Sequence, residues 1–215
     1  MGKVPPRRAF RIQSDGGAGG GAGTRAPVVF LDVDGVILPF GPGTDAESAV
    51  GRFPDACLDA LSFVLARTGA EVVLSSTWRA SDAALDEIVA DFARYAAANG
   101  GPLEHIRSFG SSQMTSRAHF GRRQWEIAQW LRGPGAHVRR WVALDDEPLV
   151  GDDPELTALS AQFDGHAVLC ESHVGLTMDL ARGAVEMLRA QADSSESPGG
   201  CSAAAGHERQ RRAES

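Results

Sequence analysis

Lysine is almost absent from this chain of 215 residues. Lys3 is the only lysine, so all but one of the 21 basic residues are arginines. No lysine is therefore available to the folded core for any mechanism. A site that needs a fixed positive charge must use arginine, whose planar guanidinium differs from an ammonium group in reach and in hydrogen-bond geometry.

Cysteine is also scarce, and its spacing excludes two common kinds of small domain. Cys57, Cys170 and Cys201 are far apart and form no CxxC pair, so neither a disulfide framework nor a zinc site is indicated. The six histidines show no metal-ligand spacing either. A reducing cytoplasm is the expected location.

Long apolar segments are missing as well. No run approaches the roughly 20 residues that a membrane helix needs, and the basic N-terminus is followed by the glycine-rich run 16–23 rather than by the apolar stretch of a signal peptide. We therefore expect no membrane partner. The formal net charge of -7 argues against bulk attraction to nucleic acid, but it permits recognition of a single phosphate in a local pocket.

Large apolar side chains are few in residues 1–26 and 193–215. Neither stretch can bury enough surface to offset the entropy of ordering, so both are predicted to be disordered tails. The remaining residues, 27–192, have the size of one ordinary domain.

Short apolar runs alternate with helical patterns inside that domain. Strands are predicted at Val28–Leu31, Val72–Leu74, Ile106–Phe109 (a weak signal), Trp141–Leu144 and Ala167–Cys170. Helices are predicted at Pro54–Arg67, after the capping residue Ser81, around Trp125–Leu131 and at Met178–Leu188. This alternation favours an α/β fold, with a parallel sheet of about five strands flanked by helices.

Polar side chains follow three of the predicted strands. They are Asp32 and Asp34, then Ser75, Ser76 and Arg79, and then Asp145 and Asp146. In a parallel sheet these carboxyl ends meet at one edge, which is where ligands bind. Four aspartates in one place repel each other unless a hard cation lies among them, and Mg²⁺ is the natural choice.

The segment Asp32-Val33-Asp34-Gly35-Val36 resembles the first motif of the haloacid dehalogenase (HAD) superfamily of phosphohydrolases. The resemblance implies a Rossmann-like core and a Mg²⁺-dependent phosphatase. In that family's scheme Asp32 attacks phosphorus and forms an aspartyl-phosphate, while Asp34 protonates the leaving group and later activates water. Ser75, or Ser76 as the alternative, hydrogen-bonds the phosphoryl oxygens.

The same resemblance implies the metal ligands. They are Asp32, the backbone carbonyl of Asp34, and either Asp145 or Asp146, a choice that the sequence leaves open. The family usually has lysine in its third motif, which this chain lacks. Arg122 or Arg123 must substitute, and Arg123 is favoured because it lies one helical turn before Ile127.

Arg79 has two roles open to it. It could bind the substrate phosphate, or it could pair with a carboxylate near the site.

A narrower resemblance covers most of the core. The segments that carry it are Ser75-Ser76-Thr77-Trp78-Arg79, the helix from Arg123 to Leu131, Leu144-Asp145-Asp146-Glu147 and Gly175-Leu176-Thr177. They are similar to the small HAD domains associated with Swiss Army Knife RNA-repair systems. Phosphorylated small molecules and nucleic-acid ends are the expected partners, and no obligate protein partner is evident.

The spacing between motifs leaves little room for a cap domain. The stretch from Gly35 to the second strand, and the stretch from Arg79 to Arg123, are both too short for an independent core. The site is therefore expected to be open, shielded at most by the Phe40–Val50 and Gly110–Gly121 loops.

Two other functions compete with a phosphatase. A catalytically silent HAD-like module would keep the fold and bind partners. A phosphoaspartate receiver domain would use a similar set of residues, but the order of its motifs differs from the order found here and its lysine is missing.

Overall fold

The structure is a computed structural model that describes residues 25–41, 53–119, 122–151 and 154–196. The predicted tails lie largely outside these ranges. Within them, no helix is both long enough and apolar enough to cross a membrane.

Four parallel strands form one sheet in the described residues. They are β1 (Val28–Leu31), β2 (Glu71–Leu74), β3 (Trp141–Asp145) and β4 (Ala167–Leu169). The order across the sheet is β2-β1-β3-β4, so β1 and β3 are central. The prediction of a parallel α/β sheet is confirmed, with four strands instead of about five.

Helices cover both faces of this sheet. They are α1 (Asp55–Thr68), α2 (Asp82–Asn99), α3 (Arg123–Arg132), α4 (Pro154–Phe163) and α5 (Met178–Glu196). Alternate residues of β1 point to opposite faces. Val29 and Leu31 pack in the core beneath α1, α2 and α5, whereas Val28 and Phe30 pack against α3 and α4.

The start of α2 matches the sequence signal for it. The Ser81 hydroxyl accepts a hydrogen bond from the amide of Ala84 at 3.4 Å, so Ser81 is the N-cap that was predicted. This cap fixes the point at which the chain leaves the segment after β2 and enters the helix.

The strand predicted at Ile106–Phe109 is wrong. Only Ile106 and Phe109 in this segment are apolar, and the segment is irregular, following a 3-10 helix at Pro102–His105. Phe109 is nevertheless buried in the core. Beside β2 the chain makes an isolated bridge between Leu74 and Met114, and the described residues add no fifth strand at this edge of the sheet.

Two helices differ from the sequence prediction. Helix α4 was not predicted, although Pro154 is well suited to a first helical position. Its Leu159 and Phe163 are buried against the sheet at the spacing of one helical face. Helix α5 extends beyond Leu188 to Glu196 and so enters the stretch assigned to the C-terminal tail.

Candidate active site

The ends of the three motif-bearing strands are in register. Leu31 of β1 pairs with Leu74 of β2 on one side and with Leu144 of β3 on the other. The chain continues from these aligned positions into Asp32 and Ser75, while Asp145 ends β3. The predicted meeting of these strand ends at one edge of the sheet is therefore observed.

Three carboxylates cluster at this edge. One oxygen from each of Asp32, Asp145 and Asp146 lies within 4.8 Å of the other two. Asp32 and Asp145 are buried and Asp146 is half-buried. Both members of the acidic pair thus face the same space, and an all-carboxylate donor set of this kind fits Mg²⁺.

Gly35 makes the close approach of Asp146 possible. Its backbone φ of 70° lies in the left-handed region, which an L side chain rarely adopts. A Cβ atom at this position would overlap the Asp146 carboxylate. Gly35 therefore has two effects: its left-handed backbone permits the turn after β1, and its lack of a side chain leaves room for Asp146 after β3.

Arg123 is the basic residue that enters the carboxylate cluster. Its Nη2 is 2.8 Å from Asp32 Oδ2, and its Nε is 2.7 Å from Asp145 Oδ2. Arg123 is buried at the first position of α3, whereas Arg122 is exposed at the N-cap. Burial disfavours the charge of Arg123, but the carboxylates of Asp145, Asp32 and Glu126 outweigh it and raise the pKa.

Of the two serines after β2, Ser75 is the one whose hydroxyl is available to hydrogen-bond a ligand. Its Oγ is buried and has no hydrogen-bond partner among the described residues. The Ser76 hydroxyl instead accepts a hydrogen bond from the amide of Trp78 at 3.3 Å and caps the 3-10 helix Thr77–Ala80. A buried hydroxyl without a partner is rare and fits a group that awaits a ligand oxygen.

The Asp34 side chain lies beside the cluster and contacts Trp78. Trp78 Nε1 donates a hydrogen bond to Asp34 Oδ2 at 2.9 Å. Burial raises the pKa of Asp34, and the charges of Asp32 and Asp146 act in the same direction, while the Trp78 hydrogen bond and Arg123 oppose them. A raised pKa suits a group that must hold a proton during catalysis.

The pKa of Asp145, like that of Asp34, is raised. Burial raises its pKa, with a further contribution from Asp32, although the adjacent Arg123 guanidinium acts against the shift. Two of the site's aspartates thus hold protons more readily than an ordinary aspartate in the absence of a cation.

Arg79 makes the carboxylate pair that was one of its two predicted roles. Its Nη2 is 2.7 Å from Glu126 Oε2, and both side chains are almost fully buried. The guanidinium also donates to four backbone carbonyls, those of Ser75, Ser76, Thr115 and Ser116. These five acceptors equal the number of N–H donors in a guanidinium. These contacts favour the carboxylate-pairing role of Arg79 over phosphate binding, the alternative that the sequence left open.

One contact of Asp146 was not foreseen from the sequence. The Ser172 hydroxyl donates to Asp146 Oδ2 at 2.7 Å, and the Ser172 carbonyl accepts a hydrogen bond from the amide of Phe40 at 2.8 Å. Loops after β4 and β1 are thereby joined at the rim of the site.

A family model described as the HAD domain in Swiss Army Knife RNA repair proteins matches residues 28–181. The chain belongs to this family. The matched range contains all four strands and every residue of the carboxylate cluster. Both resemblances inferred from the motifs are thus confirmed. No curated protein and no solved structure matches the chain.

No separate cap is present in the described part of this HAD domain. Between β1 and β2 the described residues form α1, and between β2 and α3 they form α2 and short 3-10 helices. Most of the Phe40–Val50 loop lies outside the described residues, whereas the Gly110–Gly121 loop is described as far as His119.

Proposed function

We propose that this HAD domain is a Mg²⁺-dependent phosphomonoester hydrolase that acts through an aspartyl-phosphate on Asp32. The observation that carries the proposal is the convergence of Asp32, Arg123 and the unpartnered Ser75 hydroxyl at one edge of the sheet. Carboxylate, guanidinium and hydroxyl together provide a nucleophile and two groups that bind phosphoryl oxygens.

The first step transfers the phosphoryl group to the protein. A carboxylate oxygen of Asp32 forms a bond to phosphorus as the ester P–O bond breaks, and the electron pair of that bond goes to the leaving oxygen. Asp34, whose pKa is raised by burial, gives its proton to that oxygen. Arg123 and Ser75 bind the phosphoryl oxygens during the transfer.

The second step releases phosphate. Asp34, now deprotonated, takes a proton from water, whose oxygen forms a bond to phosphorus as the bond between phosphorus and the Asp32 oxygen breaks. The electron pair of the broken bond returns to Asp32, which regenerates its carboxylate, and inorganic phosphate leaves. Asp32, Asp145 and Asp146, with the Asp34 carbonyl, would hold Mg²⁺. The cation would offset the negative charge that the substrate phosphate adds to this acidic site.

The substrate class follows from the open site and from the family. Because the described residues form no cap, the site can accept a phosphate at the end of a large molecule. The matched family takes its description from RNA repair proteins. A terminal phosphate of a nucleic acid, or of a nucleotide, is therefore the proposed substrate.

Phosphate release from a panel of phosphoesters tests this function. The panel should include sugar phosphates, mononucleotides and oligonucleotides with a 3′- or 5′-phosphate, each with Mg²⁺ and with EDTA. Asp32→Asn keeps the shape of the side chain but removes the nucleophile, so kcat should fall by on the order of 10³-fold or more.

Asp179→Asn is the matched control. Asp179 lies on the surface of α5, where its side chain is 90% exposed, so the same chemical change should leave kcat unaltered. An Asp32→Asn variant that retains more than about a tenth of wild-type activity would rule out Asp32 as the nucleophile. A sugar phosphate with a much higher kcat/KM than any oligonucleotide would rule out the proposed substrate class.

A further inference from the structure

Trp78 stands next to the proposed acid–base residue without being one of the reactive groups. It belongs to the 3-10 helix Thr77–Ala80, which begins one residue after the Ser75–Ser76 pair. Its indole N–H donates to Asp34 Oδ2 at 2.9 Å. The indole ring is half-buried and packs against Phe53, with ring centroids 5.9 Å apart.

Backbone contacts and ring packing together fix the position of this indole. The Trp78 amide donates to the Ser76 hydroxyl, which holds the backbone of the 3-10 helix. On the following residue, Arg79 binds the carbonyls of Ser75 and Ser76. The Ser81 amide donates to the Trp78 carbonyl at 3.1 Å, so the backbone is anchored on both sides of Trp78, and Phe53 limits the movement of the ring.

The hydrogen bond distinguishes the two oxygens of Asp34. An N–H group donates to a lone pair, so Oδ2 is held as the acceptor oxygen. The proton of a neutral Asp34 then resides on Oδ1, the oxygen that Trp78 does not engage. A carboxylic acid that could otherwise rotate, or carry its proton on either oxygen, is thereby held in one arrangement.

We propose that Trp78 is a positioning residue that holds Asp34 in the orientation from which Oδ1 protonates the leaving group. This inference depends on the proposed phosphatase function and extends it to a residue to which the family resemblance assigned no role. In the transfer step the Oδ1–H bond breaks and its proton goes to the ester oxygen, while the indole N–H remains intact throughout.

The leaving group provides the test. An alkyl phosphate releases a strongly basic alkoxide that must be protonated, whereas 4-nitrophenyl phosphate releases a stable phenolate that needs little protonation. Loss of a positioned acid should therefore affect the alkyl ester much more than the aryl ester. The quantity to compare is kcat/KM, because it reports the steps up to phosphoryl transfer and is independent of the later hydrolysis.

Trp78→Phe removes the N–H donor and keeps an aromatic ring beside Phe53. We expect kcat/KM to fall by about 10-fold or more for the alkyl phosphate and by less than about 2-fold for 4-nitrophenyl phosphate. Replacement of Trp78 alone by 3-benzothienylalanine, which keeps the bicyclic shape but has no N–H, should give the same pattern. It serves as the second variant if Trp78→Phe folds poorly.

Phe53→Leu is the matched control, because it disturbs the packing around Trp78 but leaves the hydrogen bond donor in place. It should change kcat/KM for the two esters by the same factor. Equal losses for both esters in the two Trp78 variants, or no loss in either, would overturn the proposed role of Trp78. A wild-type protein that hydrolyses neither ester nor any phosphoester of the panel would instead overturn the phosphatase function, and the role of Trp78 with it.

Discussion

Arg79 and Arg123 place two guanidinium groups in the interior, and the partners of each decide its role. Arg123 contacts Asp32 and Asp145, the two buried carboxylates of the site. Arg79 contacts Glu126 and backbone carbonyls from two separate segments of the chain. An unpaired charge is costly in such surroundings, so Arg79 is suited to holding segments together.

Removal of the Arg79 charge should therefore affect stability strongly. Arg79→Met removes the 2.7 Å partner of the buried Glu126 carboxylate, which keeps only the longer 4.0 Å contact with Arg123, and leaves the Ser75 carbonyl without this donor. We expect the free energy of unfolding to fall by about 3–5 kcal/mol, as is typical when one member of a buried pair is removed. Chemical denaturation in urea measures this change.

Arg94→Met is the control for that experiment. Arg94 also pairs with two aspartates, Asp91 and Asp55, but its side chain is 30% exposed. Water reaches Arg94, and Asp91 keeps the Phe53 amide as a hydrogen-bond donor, so this variant should lose only about 1 kcal/mol or less. If Arg79→Met cost no more than Arg94→Met, the buried network around Arg79 would not have the structural role inferred for it.

The sequence alone left the role of Arg79 open for a physical reason. An arginine after a motif strand can point towards a substrate or into the protein, and the choice depends on groups distant in sequence. Glu126 on α3 and the Thr115 carbonyl supply those groups here. By contrast, Asp32 and Ser75 could be placed from the sequence, because each directly follows a buried strand whose register fixes its position.

At the scale of secondary structure, the turn after β1 depends on one glycine. Gly35 combines a φ of 70° with the absence of a side chain next to Asp146. Gly35→Ala should therefore add a steric clash with Asp146, a proposed metal ligand, to the cost of a left-handed backbone. We expect Mg²⁺-dependent activity to fall by at least about 10-fold, because small displacements in a catalytic site have large effects on rate.

Gly69→Ala is the control that separates the cost of a left-handed backbone from the steric clash. Gly69 ends α1 with a φ of 65°, but nothing lies within 4 Å of the position that its Cβ would occupy. This variant should lose about 1–2 kcal/mol of stability, as is usual for a left-handed alanine, and keep its activity. Equal activities of the Gly35→Ala and Gly69→Ala variants would show that the approach of Asp146 to Gly35 has no role in catalysis.

The strands could be predicted from the sequence where every residue of the strand is buried. Val28–Leu31 and Trp141–Leu144 are apolar throughout because helices cover both faces, and this pattern identifies central parallel strands. The segment Ile106–Phe109 contains two apolar residues, a pattern that does not distinguish an edge strand from an irregular chain with one buried side chain. Phe109 is buried without any strand pairing of its segment, which the sequence could not reveal.

At the scale of the whole molecule, acidic residues outnumber basic ones by 28 to 21, and some of the acidic side chains lie together at the sheet edge. The formal net charge is -7, and three carboxylates meet at the sheet edge. Arg123 is the cation that contacts two of them, Asp32 and Asp145. Burial raises the pKa of both Asp34 and Asp145, which indicates that their charged forms are disfavoured in the metal-free protein. A bound cation should therefore stabilise the folded state independently of catalysis.

Thermal unfolding with Mg²⁺ and with EDTA tests this consequence. A ligand that binds only the folded state stabilises it by about 2.7 kcal/mol at 100 times its Kd, which should raise the Tm of a chain of this size by roughly 5–10 °C.

Asp146→Asn removes one carboxylate charge from the cluster, so the shift with Mg²⁺ should be much smaller. The Tm of this variant in EDTA should be equal to or above that of the wild type, because like-charge repulsion is reduced. Asp179→Asn, changed on the exposed surface of α5, should keep the full shift. A shift of the same size in Asp146→Asn would place the cation elsewhere, and the absence of any shift in the wild type at saturating Mg²⁺ would exclude a metal site among these carboxylates.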